Sequence, residues 1–243
     1  MGSVIITANC LRHRAYAKMV CNTCDIDLIV FEKKDISATK PTEKECQYFC
    51  DAEDWTPMVP HIVVGPGEAN SSYVEDAISS YNPDCLFIFG CSLLKKKIWS
   101  LARFGCINIH TGIVQLFRGV DSSTWAIRDQ DPSGIGATVH YVNDTIDSGE
   151  IIVQSRPKLA HNDDLDDLFL KSCACGFNAL SRKIPALLKG DIDAKALKTK
   201  GKLYQNKDMN DDIIDECKFK IVDVISFYLE HKDELDSLTE IYE

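Results

Sequence analysis

The chain has no run of about 18 consecutive apolar residues, which excludes a membrane-spanning helix. No basic segment precedes a long apolar one at its start. Met1-Gly2-Ser3-Val4-Ile5-Ile6-Thr7 reads as a first strand and not as a secretory signal, so the expected location is the cytoplasm. Positive charge is scarce: 27 Lys and Arg stand against 37 Asp and Glu, for a net charge of −10. That balance repels a polyanion such as RNA unless a local basic patch compensates. The short basic run of the first half, Lys95-Lys96-Lys97, reads as a solvated helix face. No Gly-x-Gly-x-x-Gly follows the first strand, which argues against a dinucleotide-dependent oxidoreductase. Cysteine is plentiful, eleven in all, but an odd number without a secretory signal reads as reduced thiols. Cys21-Asn22-Thr23-Cys24 has a metal-like spacing, yet no second pair completes a tetrahedral set, so no metal is expected.

What is present is an ordinary globular composition, 45% hydrophobic and 26% charged, in 243 residues. The apolar pattern predicts strands over Ser3–Ala8, Ile26–Phe31, His61–Val64, Cys85–Phe89, Cys106–Ile109, Gly136–Val142 and Glu150–Ser155. Helices are predicted over Leu11–Cys21, Thr42–Asp51, Ala69–Tyr81, Leu93–Ala102, Ser122–Asp129 and Asp163–Leu188, the last capped by Asn162. Strand and helix alternate over the first 130 residues, which implies a Rossmann-like, doubly wound, mostly parallel α/β sheet. From Lys202 the pattern turns polar and irregular, then helical over Asp211–Leu229 and Leu235–Tyr242. The expected organisation is a domain over 1–200 and a small helical appendage over 201–243. The apolar stripe of that appendage, Ile213-Ile214, Cys217, Ile221-Val222, Val224-Ile225 and Phe227-Tyr228, is wide enough to suggest a homodimer; the competing reading is that it folds back on its own domain.

Chemistry concentrates between Phe104 and Ile152. Asn108 and His110 close an otherwise apolar strand, two residues apart and so on one side of it. A carboxamide and an imidazole placed together can grip one carbonyl oxygen and then the oxyanion that forms when that carbonyl is attacked. Alone, the tripeptide could equally cap a turn. Asp147, in the turn Ile146-Asp147-Ser148-Gly149 between two strands, adds a carboxylate able to trade protons, and His140 on the preceding strand could orient it.

Together Asn-Ile-His, a loop ending Phe117-Arg118-Gly119, and Gly136-Ala-Thr-Val-His-Tyr-Val-Asn-Asp-Thr-Ile-Asp-Ser-Gly-Glu-Ile-Ile resemble the formyltransferases that use 10-formyltetrahydrofolate. That family includes glycinamide ribonucleotide transformylase, methionyl-tRNA formyltransferase and the nucleotide-sugar N-formyltransferases. The resemblance places the catalytic roles on Asn108, His110 and Asp147. It sets the folate pterin against Ser92, Leu93 and Leu94 and against Asn143 to Asp147, with His140 and Asp144 beside it. Core packing is the competing reading for the two leucines. Many members have Pro after the catalytic His, where this chain has Thr111-Gly112.

The acceptor is argued by elimination. The tRNA-directed members resemble this chain in their first domain but add a barrel, for which the residues after Lys202 look too few, helical and acidic. Glycinamide ribonucleotide enzymes carry a Gly-rich phosphate loop after the first strand, where this chain has Asn9-Cys10-Leu11-Arg12-His13-Arg14. Arg12 and Arg14 either hold a phosphate by charge or begin a solvated helix. The remaining class implies a dTDP- or UDP-linked 4-amino-4,6-dideoxyhexose destined for a surface polysaccharide. Arg118 is a candidate substrate contact, and Trp125 either walls the sugar or packs in the core. A non-catalytic folate- or nucleotide-binding module is the alternative from another class.

Overall fold

In the computed structural model, residues 2–34 and 40–243 are described. The charged run Glu32-Lys33-Lys34-Asp35 is the expected close of the second strand; its Asp35 and the start of the long connection expected over 35–60 lie outside the described residues. The larger sheet contains β1 (Ser3–Ala8), β2 (Ile26–Glu32), β3 (His61–Val64), β4 (Leu86–Phe89), β5 (Cys106–His110), β7 (Ala137–Tyr141) and β8 (Ile151–Ser155). Two short strands, β6 (Phe117–Gly119) and β9 (Lys202–Tyr204), form a separate parallel pair. The order of the seven-stranded sheet is β3-β2-β1-β4-β5-β7-β8. Pairs β1–β2, β1–β4, β2–β3 and β4–β5 are parallel, and β7–β8 is antiparallel. The chain runs outward through β1, β2 and β3 and returns beside β1 as β4. That reversal is where open α/β sheets bind ligands, outside the carboxyl ends of the strands.

The described residues divide into two units. The first holds residues 1–108, 141–144 and 180–193; the second holds 109–140, 145–179 and 194–243. In the first unit, strands β1, β2 and β4 are buried along their whole length or nearly so, which suits their β-branched runs. Their side chains Val4, Ile6, Leu28, Val30, Leu86 and Ile88 join Val74, Ile78 and Ile98 in one core. Helix α1 (Leu11–Cys21) buries Leu11, Tyr16 and Val20. Helix α2 (Glu43–Phe49) starts at Thr42, whose hydroxyl accepts from the Glu45 N–H. Helix α3 (Ser72–Tyr81) starts at Ser71 and stops at Asn82, which adopts the left-handed conformation.

The expected helix over Leu93–Ala102 contracts to one turn, α4 (Lys96–Trp99). The cause is Asn70, whose Nδ2 donates to Leu93 O at 3.0 Å and whose Oδ1 accepts from Lys95 N at 2.6 Å. These bonds hold Leu93–Lys95 outside the helix.

In the second unit, α5 (Ser122–Arg128) and α7 (Asp211–Glu230) share a core of Phe117, Trp125, Ile127, Cys217, Ile221 and Ile225. One face of α7 thus folds back on its own unit, while Phe219 on the other is 87% exposed. The polar stretch after Lys202, expected to be irregular, supplies β9. The last helix, α8, covers Lys232–Ser237 and not Leu235–Tyr242. The tail beyond it is tied back by Gln154 N donating to Tyr242 O at 2.5 Å. The long helix α6 (Leu165–Leu187) begins after Asp164, not Asn162: Asp164 and Asp167 exchange side chain-to-backbone bonds at 3.1 Å, a reciprocal cap that also places acidic groups at the helix's positive end.

Candidate active site

Strand β5 ends in Asn108 and His110, whose side chains share one side of it. His110 is buried. Its Nδ1 lies 3.2 Å from Asp147 Oδ2. Its Nε2 lies 3.0 Å from the Phe117 carbonyl and 3.1 Å from the Ser122 hydroxyl, so the ring N–H donates into the chain's own backbone. The second carboxylate oxygen of Asp147 lies 3.4 Å from His140 Nε2. One carboxylate is therefore held between two buried histidines.

Local structure explains how these groups meet. The register of β7 against β8 shifts between Val139 and His140, and such an irregularity re-aims the side chain at that position. Asp147 stands at φ 45°, a left-handed conformation that Asp tolerates better than most residues. Gly119 N donates to Asp147 Oδ2 at 2.8 Å. Arg118 secures the same turn, its NH1 donating to Ile146 O and its Nε to Gly201 O, each at 3.0 Å. The Thr111-Gly112 pair brings backbone close to the imidazole: a Cβ on Gly112 would lie 2.7 Å from His110 Nε2 and 2.6 Å from Ser122 Cβ.

The electrostatics follow from this packing. Burial pulls the His110 imidazole toward neutrality, but the charge and hydrogen bond of Asp147, with the Phe117 carbonyl, outweigh it and raise its pKa above the ordinary 6.5. Burial likewise opposes ionisation of Asp147. The His110 charge and bonds from both histidines overcome it and hold the carboxyl well below its ordinary 3.8. Both shifts favour the imidazolium–carboxylate form of the pair.

The other expected site residues are placed as follows. Ser92 and Leu94 are half-buried after β4, with Leu94 packed on the first unit's core, while Leu93 is 71% exposed. Asn143 and Asp144 are exposed. Arg12 is ion-paired at 3.2 Å with Glu45, a buried carboxylate that also accepts the Arg12 N–H. Arg14 has a buried Nε with no partner among the described residues. For Trp125 the packing favours the core reading over the sugar wall. This residue is 1% exposed, with its indole stacked on Tyr204 at 3.9 Å and 5°. Sequence reasoning missed Ser122 and the Phe117 carbonyl; Ser122 read only as a helix start.

A family model for formyl transferase matches residues 17–184. The chain belongs to the formyl transferase family. A methionyl-tRNA formyltransferase of Porphyromonas gingivalis is 23% identical over 129 residues, which is 53% of this chain and 40% of the relative. The match thus spans less than half the length of that relative. An N-formyltransferase of Helicobacter canadensis, solved with folinic acid and dTDP-3-aminofucose, has a TM-score of 0.64 at 14% identity, covering 91% of this chain and 81% of that one. A phosphoribosylglycinamide formyltransferase of Anaplasma phagocytophilum has a TM-score of 0.60 at 17% identity, covering 84% and 97%. At these identities the likeness is one of fold.

Proposed function

We propose that the chain transfers a formyl group from 10-formyltetrahydrofolate to the amino group of a nucleotide-linked amino sugar. The observation that carries the reading is the Asp147 carboxylate held between His110 and His140, with Asn108 beside His110 on β5, in a chain of this family. The acceptor amine attacks the formyl carbon and its new C–N bond replaces the bond to the folate nitrogen. Asn108 and the His110 imidazolium stabilise the oxyanion, with the formyl oxygen exchanging for the Phe117 carbonyl at Nε2. Asp147, already ionised, accepts the proton that the attacking nitrogen sheds, directly or through a water, and the folate nitrogen takes up a proton as it leaves. These steps need no metal and no covalent enzyme intermediate.

The folate reading places the pterin against Ser92–Leu94 and Asn143–Asp147. For the acceptor, the fold likeness to the Helicobacter enzyme with its bound dTDP sugar favours an amino-sugar nucleotide, and the net charge of −10 disfavours RNA. Arg14, with its unpartnered Nε, is better placed than the ion-paired Arg12 to meet a diphosphate. The proposed setting is a cytoplasmic homodimer serving surface polysaccharide synthesis. A second reading, transfer to methionyl-tRNA, is favoured by the sequence relatives.

The test is a formylation assay with 10-formyltetrahydrofolate against amino-sugar nucleotides, glycinamide ribonucleotide and methionyl-tRNA. Transfer to a sugar nucleotide alone is expected. Transfer only to methionyl-tRNA or only to glycinamide ribonucleotide overturns the sugar reading and keeps formyl transfer.

A further inference from the structure

Glu32 is the last residue of β2. It is 1% exposed. A carboxylate in such a place is costly unless its lone pairs are met. They are met by backbone from two loops: Oε1 accepts from Gly67 N at 2.8 Å and Ala69 N at 3.5 Å, and Oε2 accepts from Ser92 N at 2.6 Å. One turn on, Asn70 takes Leu93 O and Lys95 N with the two ends of its carboxamide. The segment after β4 is thereby fixed at three backbone points: Ser92 N, Leu93 O and Lys95 N. All of these residues lie in the first unit.

We infer that Glu32 and Asn70 are positioning residues for the folate co-substrate, holding Ser92–Leu94 preformed with the Leu93 side chain outward. The inference rests on the folate reading above. Its logic is that this segment sits at the carboxyl edge of β4 beside the strand-order reversal, where ligands of such sheets bind. The clasp leaves the Leu94 N–H and the Ser92 C=O outside it. A backbone held in place presents these groups to the donor–acceptor edge of a pterin without an ordering cost at the moment of binding. Leu93, 71% exposed, offers an apolar contact to the ring. Neither Glu32 nor Asn70 touches the co-substrate; each acts through the loop.

Glu32→Gln turns one acceptor into a donor facing backbone N–H groups, and Asn70→Asp sets an oxygen against Leu93 O. The experiment measures, for the full chain and both variants, the dissociation constant of 5-formyltetrahydrofolate by calorimetry, steady-state kcat, KM for 10-formyltetrahydrofolate and for the acceptor, and thermal melting. We expect folate affinity to weaken by about tenfold or more in both variants, with kcat and acceptor KM within about threefold of the parent. Parental folate affinity in both variants overturns the inference, as does an equal loss of folate and acceptor affinity, which would mean general loosening. If Glu32→Gln does not fold, Asn70→Asp and Asn70→Ala carry the same comparison. A parent chain that binds no folate overturns the folate reading itself, an outcome distinct from a parent that binds and variants that bind equally well.

Discussion

His110 and Asp147 lie 3.2 Å apart, Nδ1 to Oδ2, and the opposite edge of the same imidazole meets the backbone carbonyl of Phe117 at 3.0 Å. Both ring nitrogens are engaged, so the protonated form is the one this packing supports. Asp147→Asn removes charge from the centre while keeping its shape, and His110→Asn removes the ring edge that meets the Phe117 carbonyl. His110→Asn and Asp147→Asn should each lower kcat by roughly a hundredfold or more. Steady-state kinetics on purified variants with matched circular dichroism spectra check this, and near-parental turnover in both would remove the centre from the mechanism.

The same pair ties stability to pH. His110 has a raised folded-state pKa, so its contribution is complete below the ordinary 6.5 and fades as pH climbs through the raised value. Asp147 has a depressed one, so its contribution is complete above the ordinary 3.8 and fades as pH falls through the depressed value. The melting-temperature gap between the parent and Asp147→Asn should be widest between those two ordinary values and narrow on either side. A gap that keeps growing above neutrality contradicts the assigned charges.

Trp125, packed on Tyr204, should govern stability and not acceptor recognition. Trp125→Ala is expected to cost about 3–5 kcal/mol. Trp125→Phe should retain the parental acceptor KM at a temperature where it is folded. A raised acceptor KM in that variant, with an unchanged melt, would restore the wall.

Helix α7 leaves Phe219, Val222 and Phe227 exposed opposite its buried face. If this face joins two copies, multi-angle light scattering at micromolar concentration gives twice the chain mass, and Phe219→Glu with Phe227→Glu gives the single mass. A parent that scatters as a monomer removes the dimer.

The strands of the sheet were legible because Val4–Ile6, Leu28–Phe31 and Leu86–Phe89 are unbroken apolar runs, and burial on both faces leaves such runs no other use. The proposed roles of Asn108, His110 and Asp147 rest on a spacing that resembles a family pattern. What escaped depends on partners distant in sequence. Lys202–Tyr204 has no period to read in three residues, and becomes a strand because Phe117–Gly119 pairs with it. Leu93–Lys95 has helical composition, but Asn70 takes its backbone. Glu32 escaped because nothing local announces that loops around Gly67 and Ser92 converge on it.

The pairing of β6 with β9 sets an order of events during synthesis. A nascent chain whose ribosome has reached Ser155 already contains His110, Asp147 and His140. The Phe117 carbonyl that caps His110 belongs to a strand whose partner, Lys202–Tyr204, has not yet been translated. Gly119 is held against that partner so closely that a Cβ there would lie 1.9 Å from Tyr204 O. A chain truncated near residue 200 would therefore hold every proposed catalytic side chain and still leave β6 unpaired, so substitutions and truncations well downstream of the proposed active site should impair it.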